Sequence, residues 1–581
     1  MQIGASYYPE LSNPEVWRAD LTTARQVGLT VLRCGEFAWS RFAPDAGADW
    51  NNAWALEFLD LAHELGFQVI WCTPSATPPP YVFDRWPELF ATTCDNVPMP
   101  AGVRRHYCPS HQPFRELAAT AAGHVGKALG QHPAVIGWQI DNEIAGDRFT
   151  CWCERCRKSF QDWLALRYGS LAELNRAWLA DLWSQRYTAW SQIPIPHQHF
   201  AASHTPALRL AWRRFRSDNW LAFYQAQRDA LKAAGVTTPI TTNFYDITWD
   251  MPFNQWDWRP HLDVMGCSFY EPNEATGRFE MALLRGPDLK RLWVLEQKAG
   301  QQIAQNLYPE TLARLEKHLR ICTENGAELG VYWHLRQHRA GCEMEHGAVL
   351  RHDGKATRIA AAVTAAADHA KSAREIRPAD SRALVFDFDQ QWAQENRPQP
   401  GAKWDYRQRL DSEWFGAAYD LWGGIRVSPF ALALETASLV LAPHFQMIRP
   451  DHYGALEKFL KRGGTFVTTA DFGRLDWENN VRPIPPLGGL APLGVTVPAG
   501  EMLHLAPDFT VSGKHGAKDL RGKYFWWVPD DGVQTLQPAV TLADGDTVGP
   551  AWVDFTVSGG RIRVLTTAFD RASLAEVFRD L

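Results

Sequence analysis

Nothing in this chain offers a helical membrane span or a leader. No run of about 18 apolar residues occurs, and the opening MQIGASYYPE has neither a basic stretch nor the apolar segment of a signal peptide. The cytoplasm is therefore the expected location. A basic surplus is missing too: with 59 Lys and Arg against 65 Asp and Glu, the net charge is -6. That excludes a phosphate-binding face, so neither nucleic acid nor a membrane is an expected partner. Cysteine is sparse at 10 residues, too few for a disulfide scaffold in a chain of 581. The first apolar segment is followed by SYYPELSNP, with none of the glycines of a phosphate-binding turn, which argues against a doubly wound dinucleotide fold.

Tryptophan, by contrast, is abundant at 27 residues. Such rings stack on sugar faces, although most will serve packing. Apolar segments recur at 2–8, 30–35, 68–74, 134–143, 239–245, 263–270, 292–297 and 330–337, each followed by a helical pattern. Eight such units predict a (β/α)8 TIM barrel. Asn13-Pro14 and the capping-box spacing of SLAE (170–173) mark helix starts. Further on, apolar segments at 383–388, 438–443 and 464–469, with a KRGG stop at 461–464, predict a smaller parallel α/β domain. From about residue 505 short alternating strands predict a small β domain, with a hairpin over 553–566 turning at Gly559-Gly560. The expected boundaries are 1–372, 373–504 and 505–581.

In a barrel of this kind the strand C-termini line the active site. Glu143 closes the fourth segment in GWQIDNE and Glu296 the seventh in LWVLEQ. A carboxylate ending an apolar run costs several kcal/mol unless something compensates it. Two of them at one barrel face suit glycoside hydrolysis, with one carboxyl protonated to release the leaving group and the other ionised to attack the sugar. With the acid on the fourth strand and the nucleophile on the seventh, the arrangement resembles the retaining barrel glycosidases, and that resemblance implies that Asn142, just before the acid, hydrogen-bonds the sugar 2-hydroxyl.

Cys34, Cys72, Cys267, Cys322 and Cys342 sit among apolar residues and read as small core hydrophobes. Cys151, Cys153 and Cys156 are spaced C-x-C-x2-C just after the fourth segment, and Cys108 precedes it. Four thiolates from two neighbouring segments suit a tetrahedral Zn2+, structural because a closed shell leaves no position for water.

SYYPE at the start, RRHYCP (104–109), GWQIDNE (137–143), CWCERC (151–156), LEQ (295–297) and EMEHG (343–347) occur in an order that resembles glycoside hydrolase family 42, the β-galactosidases with a zinc-binding cysteine cluster. The resemblance implies Glu143 as acid/base and Glu296 as nucleophile, with Arg33, Asn142, Glu343 and His346 contacting the galactosyl unit. It implies a homotrimer formed through the middle domain, and no organic cofactor. In the family a tryptophan in the loop after the nucleophile packs on the sugar. Here Ala304 stands about where that ring falls, so either Trp333 or Tyr308 is expected to substitute for it, or the preferred glycoside differs from a simple β-galactoside.

A zinc-dependent hydrolase is disfavoured because catalytic zinc keeps an open site with His or carboxylate ligands. A sugar-binding protein on an inactive barrel is disfavoured because both glutamates are present. An α-L-arabinopyranosidase, β-fucosidase, β-glucosidase or β-mannosidase would use the same pair, since hydroxyl discrimination rests on loop geometry.

Overall fold

The computed structural model describes residues 1–581 apart from 103, 145–149, 246–252, 271–272, 301–311, 373, 397–405, 486, 498, 503–510, 526, 531–540 and 545–546. Ala304 and Tyr308 thus lie outside the described residues. By contacts the chain divides into two units: Met1–Phe160, Phe215–Gly277 and Lys290–Glu375 in the first, and Gln161–Arg214, Arg278–Leu289 and Ile376–Leu581 in the second.

The first unit holds one parallel sheet of β1 (Gln2–Ser6), β2 (Val31–Cys34), β3 (Gln68–Cys72), β4 (Val135–Gln139), β5 (Ile240–Thr241), β6 (Asn243–Phe244), β7 (Met265–Ser268), β8 (Leu292–Lys298) and β9 (Ala327–Trp333). Their order, β5-β4-β3-β2-β1-β9-β8-β7-β6, wraps round until β5 and β6 meet. Those two are halves of a single barrel position interrupted at Thr242, β5 pairing with β4 and β6 with β7. All eight apolar segments therefore contribute a barrel strand. The last strand starts earlier than its segment, at Ala327, and β4 ends at Gln139, which leaves Glu143 in the turn beyond it.

Strand periodicity alternates side chains between core and exterior. Val31, Ile70, Val264, Trp293, Leu295, Leu329 and Val331 form a buried apolar cluster. Arg33 shares the side of β2 that Val31 occupies, one layer nearer the C-terminal end. At β8 the alternation slips: Cys267 pairs with Val294 but Ser268 with Glu296, so one extra residue is inserted. A bulge re-aims a side chain, and here Glu296 reaches Arg33 although Trp293 and Leu295 pack in the core. Gly137 on β4 is required by close approach, since a Cβ there would lie 2.5 Å from the Trp293 ring.

Helix starts follow the sequence signals. Asn13 Oδ1 accepts from the Val16 amide (3.1 Å) at the head of Pro14–Val27, and Ser170 Oγ accepts from the Glu173 amide (3.2 Å) before Leu171–Ala177. Cys34, Cys72, Cys267 and Cys322 are buried as expected; Cys342 is exposed, because it lies in a turn after β9 rather than in the core.

In the second unit Arg382–Val385, Arg426–Ser428, Leu439–Ala442 and Thr465–Thr469 form parallel pairs. Gly560–Leu565 continues the sheet in parallel with Thr465–Thr469, and Trp552–Val557 pairs antiparallel beside it. The hairpin turns at Ser558-Gly559, one residue earlier than expected. Both have positive φ, and Gly560 is already paired with Val557. A separate five-stranded antiparallel sheet uses strands between Val511 and Phe569.

Candidate active site

The turn after β4 is strained and has to be held from outside. Asp141 and Glu143 have φ of 59° and 46°, a conformation that costs a non-glycine residue about 1–3 kcal/mol. Asp141 supplies much of the hold. Its Oδ2 accepts from Ser75 Oγ (2.5 Å) and Tyr107 OH (2.8 Å), its Oδ1 from the Asn142 amide (2.8 Å), and its own amide donates to Thr73 Oγ1 (2.9 Å). Burial pushes the Asp141 carboxyl up, while the hydrogen bonds from Ser75, Asn142 and Tyr107 pull it back.

Around Glu296 the donors converge. Oε1 lies 3.0 Å from Arg33 Nη1 and accepts from Asn243 Nδ2 (3.2 Å), and Oε2 accepts from Tyr270 OH (2.9 Å). Among the described residues the Glu143 carboxylate has a single partner, Arg105 Nη1 at 3.0 Å from Oε2. Burial and the neighbouring Glu143 charge push the Glu296 carboxyl up to about 8, while Arg33 and Tyr270 pull it down. The three donors on Glu296 oppose that rise, because hydrogen bonds to a carboxylate favour its ionised form.

Arg33 is fully buried, and all three of its nitrogens are engaged. Nε donates to Gln139 Oε1 (2.7 Å), Nη2 to Asn142 Oδ1 (2.5 Å) and Nη1 to Ser6 Oγ (3.1 Å), with Glu36 Oε1 3.0 Å from Nη1. Glu36 Oε1 also accepts from Tyr8 OH (2.9 Å), which accepts from Trp333 Nε1 (2.8 Å). Trp333 is buried and stacks on His334 with centroids 4.3 Å apart. His346 meets the Trp333 ring edge-on at 5.1 Å, and its buried Nδ1 has no hydrogen-bond partner among the described residues. Burial, aided by the Arg104 charge, holds His346 below its ordinary value and so neutral. Glu343 pairs with Arg104 Nη2 at 3.0 Å, and burial pushes its carboxyl up.

The expected residues thus fall into two linked groups, Glu143, Asn142, Arg33 and Glu296 in one, and Trp333 and His346 in the other, joined through Tyr8 and Glu36. Glu343 is reached through Arg104. Sequence reading missed Asn243, Tyr270, Arg105 and Glu36. Only Arg105, in RRHYCP, lay in a motif already singled out; the others end or follow strand segments and carry no distinguishing spacing.

Cys108, Cys151, Cys153 and Cys156 bring their four Sγ atoms within 4.8 Å of one another. Cys108 Sγ lies 3.5 Å from Cys153 Sγ and 3.4 Å from Cys156 Sγ. A tetrahedral ion with Zn–S near 2.3 Å separates sulfurs by about 3.8 Å, so the donor set fits that group with little movement. Hydrogen bonds from its three neighbours pull the Cys153 thiol far down, while Cys108 and Cys156 are raised. Ser110 Oγ, itself accepting from Asn219 Nδ2 (2.9 Å), lies 3.3 Å from Cys156 Sγ.

Comparison with known proteins finds relatives along nearly the whole chain. A sequence model of glycoside hydrolase family 42, described as β-galactosidase, matches residues 6–373, and one described as the β-galactosidase trimerisation domain matches residues 380–581. The β-galactosidase of Thermus thermophilus is 30% identical over 582 residues, covering 94% of this chain and 86% of that protein. That of Haloferax lucentense is 29% identical over 574 residues, covering 94% of this chain and 84% of the relative. The crystal structure of the β-galactosidase from Rahnella sp. R3 is 26% identical with a TM-score of 0.89, covering 100% of this chain and 88% of that one. A barrel with two strand-end glutamates, matched through both its parts by these models and relatives, belongs to the family 42 β-galactosidases of the glycoside hydrolases.

Proposed function

We propose that Glu296 is the nucleophile and Glu143 the acid/base of a retaining exo-β-galactosidase. The observation that carries the assignment is the asymmetry of the pair: three donors, one of them a buried cation, converge on Glu296, against a single arginine on Glu143. Donors so placed favour the ionised form of the carboxylate they meet, which is the form a nucleophile needs. Glu296 attacks the anomeric carbon as the glycosidic C–O bond breaks, and the Glu143 proton passes to the departing oxygen. Glu143 then takes a proton from water, whose oxygen displaces Glu296 from the sugar.

Arg33 works here by holding Glu296 ionised rather than by gripping sugar hydroxyls, because its nitrogens are committed to protein partners. Asn142, Glu343 and His346 are assigned to the galactosyl hydroxyls. Trp333 is the aromatic wall, with its N–H fixed by Tyr8. Cys108, Cys151, Cys153 and Cys156 would hold a structural Zn2+, whose closed thiolate shell pins the segment before β4 to the one after it. No organic cofactor is required. The barrel, taken as 1–372, carries the chemistry; the trimerisation match over residues 380–581 supports a homotrimer, with 373–504 taken as the assembly domain and 505–581 as a small β domain after it. The cytoplasm is the assigned location, and neither nucleic acid nor a membrane is a partner; among the described residues no helix is long and apolar enough to cross a membrane.

The test is a rate panel of nitrophenyl β-galactoside, α-L-arabinopyranoside, β-fucoside, β-glucoside and β-mannoside with wild type and Glu296→Ala. The β-galactoside should dominate, the mutant should lose several orders of magnitude, and azide should restore part of the rate as an α-glycosyl azide. Near-normal turnover in Glu296→Ala would refute the nucleophile, and a dominant rate on another glycoside would reassign the sugar. Metal analysis of unchelated protein should find close to one zinc per chain.

A further inference from the structure

Asn243 is wholly buried at the interruption of the fifth barrel position, and one carboxamide there serves both halves of the site. Its Oδ1 accepts from the Glu143 amide (2.8 Å). Its Nδ2 donates to Asn142 Oδ1 (3.0 Å), Ser268 Oγ (3.1 Å) and Glu296 Oε1 (3.2 Å). We infer that Asn243 is a positioning residue that sets the acid/base turn against the nucleophile and turns the Asn142 amide toward the sugar 2-hydroxyl.

The chemistry of the contacts fixes the orientations without reference to hydrogen positions. A backbone amide can only donate, so the Asn243 atom facing Glu143 is its oxygen, and its NH2 must face Asn142 and Glu296. Arg33 Nη2 is likewise only a donor, so the Asn142 atom that meets both Arg33 and Asn243 is its oxygen. The Asn142 NH2 is left without a hydrogen-bond partner among the described residues, free to donate toward the 2-oxygen of a bound sugar. Removing Asn243 would free the strained Glu143 turn, take a donor from Glu296 and let the Asn142 amide rotate.

This inference rests on the proposed roles of Glu143, Glu296 and Asn142, and its test is separate from theirs. Glu296→Ala reports on those roles. Asn243→Asp and Asn243→Ala report here, through kcat/KM for an aryl β-galactoside and its 2-deoxy analogue and through the pH profile. Asn243→Asp keeps the shape and the acceptor for Glu143 but replaces donors by a charge, so it tests the inference even if Asn243→Ala fails to fold. The ratio of kcat/KM for the 2-hydroxy over the 2-deoxy substrate should fall at least about tenfold, a part of the several kcal/mol that 2-hydroxyl contacts supply in the transition state. The fall should appear in kcat more than in KM. In Asn243→Asp the acid limb of kcat/KM should also move to higher pH, since a new negative charge beside Glu296 favours its protonated form. A folded Asn243→Asp protein whose ratio and acid limb both match wild type, even with lower rates on both substrates alike, would overturn the inference.

Discussion

Tyr270 is the one donor on Glu296 that can be removed without disturbing a charge or the turn after β4. Its hydroxyl donates to Oε2 at 2.9 Å and is among the influences that keep the Glu296 carboxyl from rising above about 8. Tyr270→Phe should therefore leave Glu296 higher still. With Glu296 as the proposed nucleophile, its ionised form then becomes available only at higher pH, and the acid limb of kcat/KM should move upward while kcat falls about 10–100-fold, as expected for loss of one charge-stabilising donor. A pH-rate profile with an unmoved acid limb would exclude Tyr270 from this role. The two glutamates were legible in the sequence because a carboxylate closing an apolar run has few bland explanations. Tyr270 and Asn243 were not: an aromatic in GCSFYEP and an amide in PITTNFY look like ordinary strand-end residues. Their meaning comes from neighbours distant in sequence, brought together by strand order.

At the scale of elements, boundaries and register decided what the sequence concealed. Each of the eight apolar segments marked a barrel strand, since β-branched and aromatic runs bounded by turns have little else to become. The bulge at Leu295–Glu296 left no trace in the alternation, because hydrophobic runs buried on both faces carry no period to violate. A helix cap in the second unit offers a measurable case of local electrostatics. Asp387 caps Phe388–Glu395 by accepting from the Gln390 amide at 3.0 Å, yet burial, reinforced by the Asp389 charge, pushes its carboxyl up to about 7. A carboxyl whose folded value lies above its unfolded value near 4 binds protons first in the folded state, so its contribution to stability declines as pH rises from about 4 to about 7. Asn caps as well as Asp and carries no charge to bury. Asp387→Asn should accordingly raise stability by about 1–2 kcal/mol at pH 8 and leave it almost unchanged at pH 4. Denaturant midpoints at the two pH values would decide it, and an equal shift at both would assign the effect to packing.

For the whole molecule, the two contact units do not follow the order of the chain. Gln161–Arg214 and Arg278–Leu289 interrupt the barrel's stretch of sequence, yet cluster with Ile376–Leu581. No composition change announces such an exchange, because an amphipathic helix looks the same whichever core it covers. The site itself is simpler. Arg33, Glu36, Arg105, Asn142, Glu143, Asn243, Tyr270 and Glu296 all belong to the first unit of one chain, so the hydrogen-bond network around the two carboxylates needs no second copy. Assembly and chemistry should then be separable measurements. Light scattering at micromolar concentration should give about three times the chain mass of 65.7 kDa, in keeping with the trimerisation match over residues 380–581. Dilution into the range where that mass falls should leave the position of the acid limb where it was, since that limb reports on Glu296 and on donors carried by the same chain. A limb that moved together with the mass would place a residue of a neighbouring copy against the carboxylate pair.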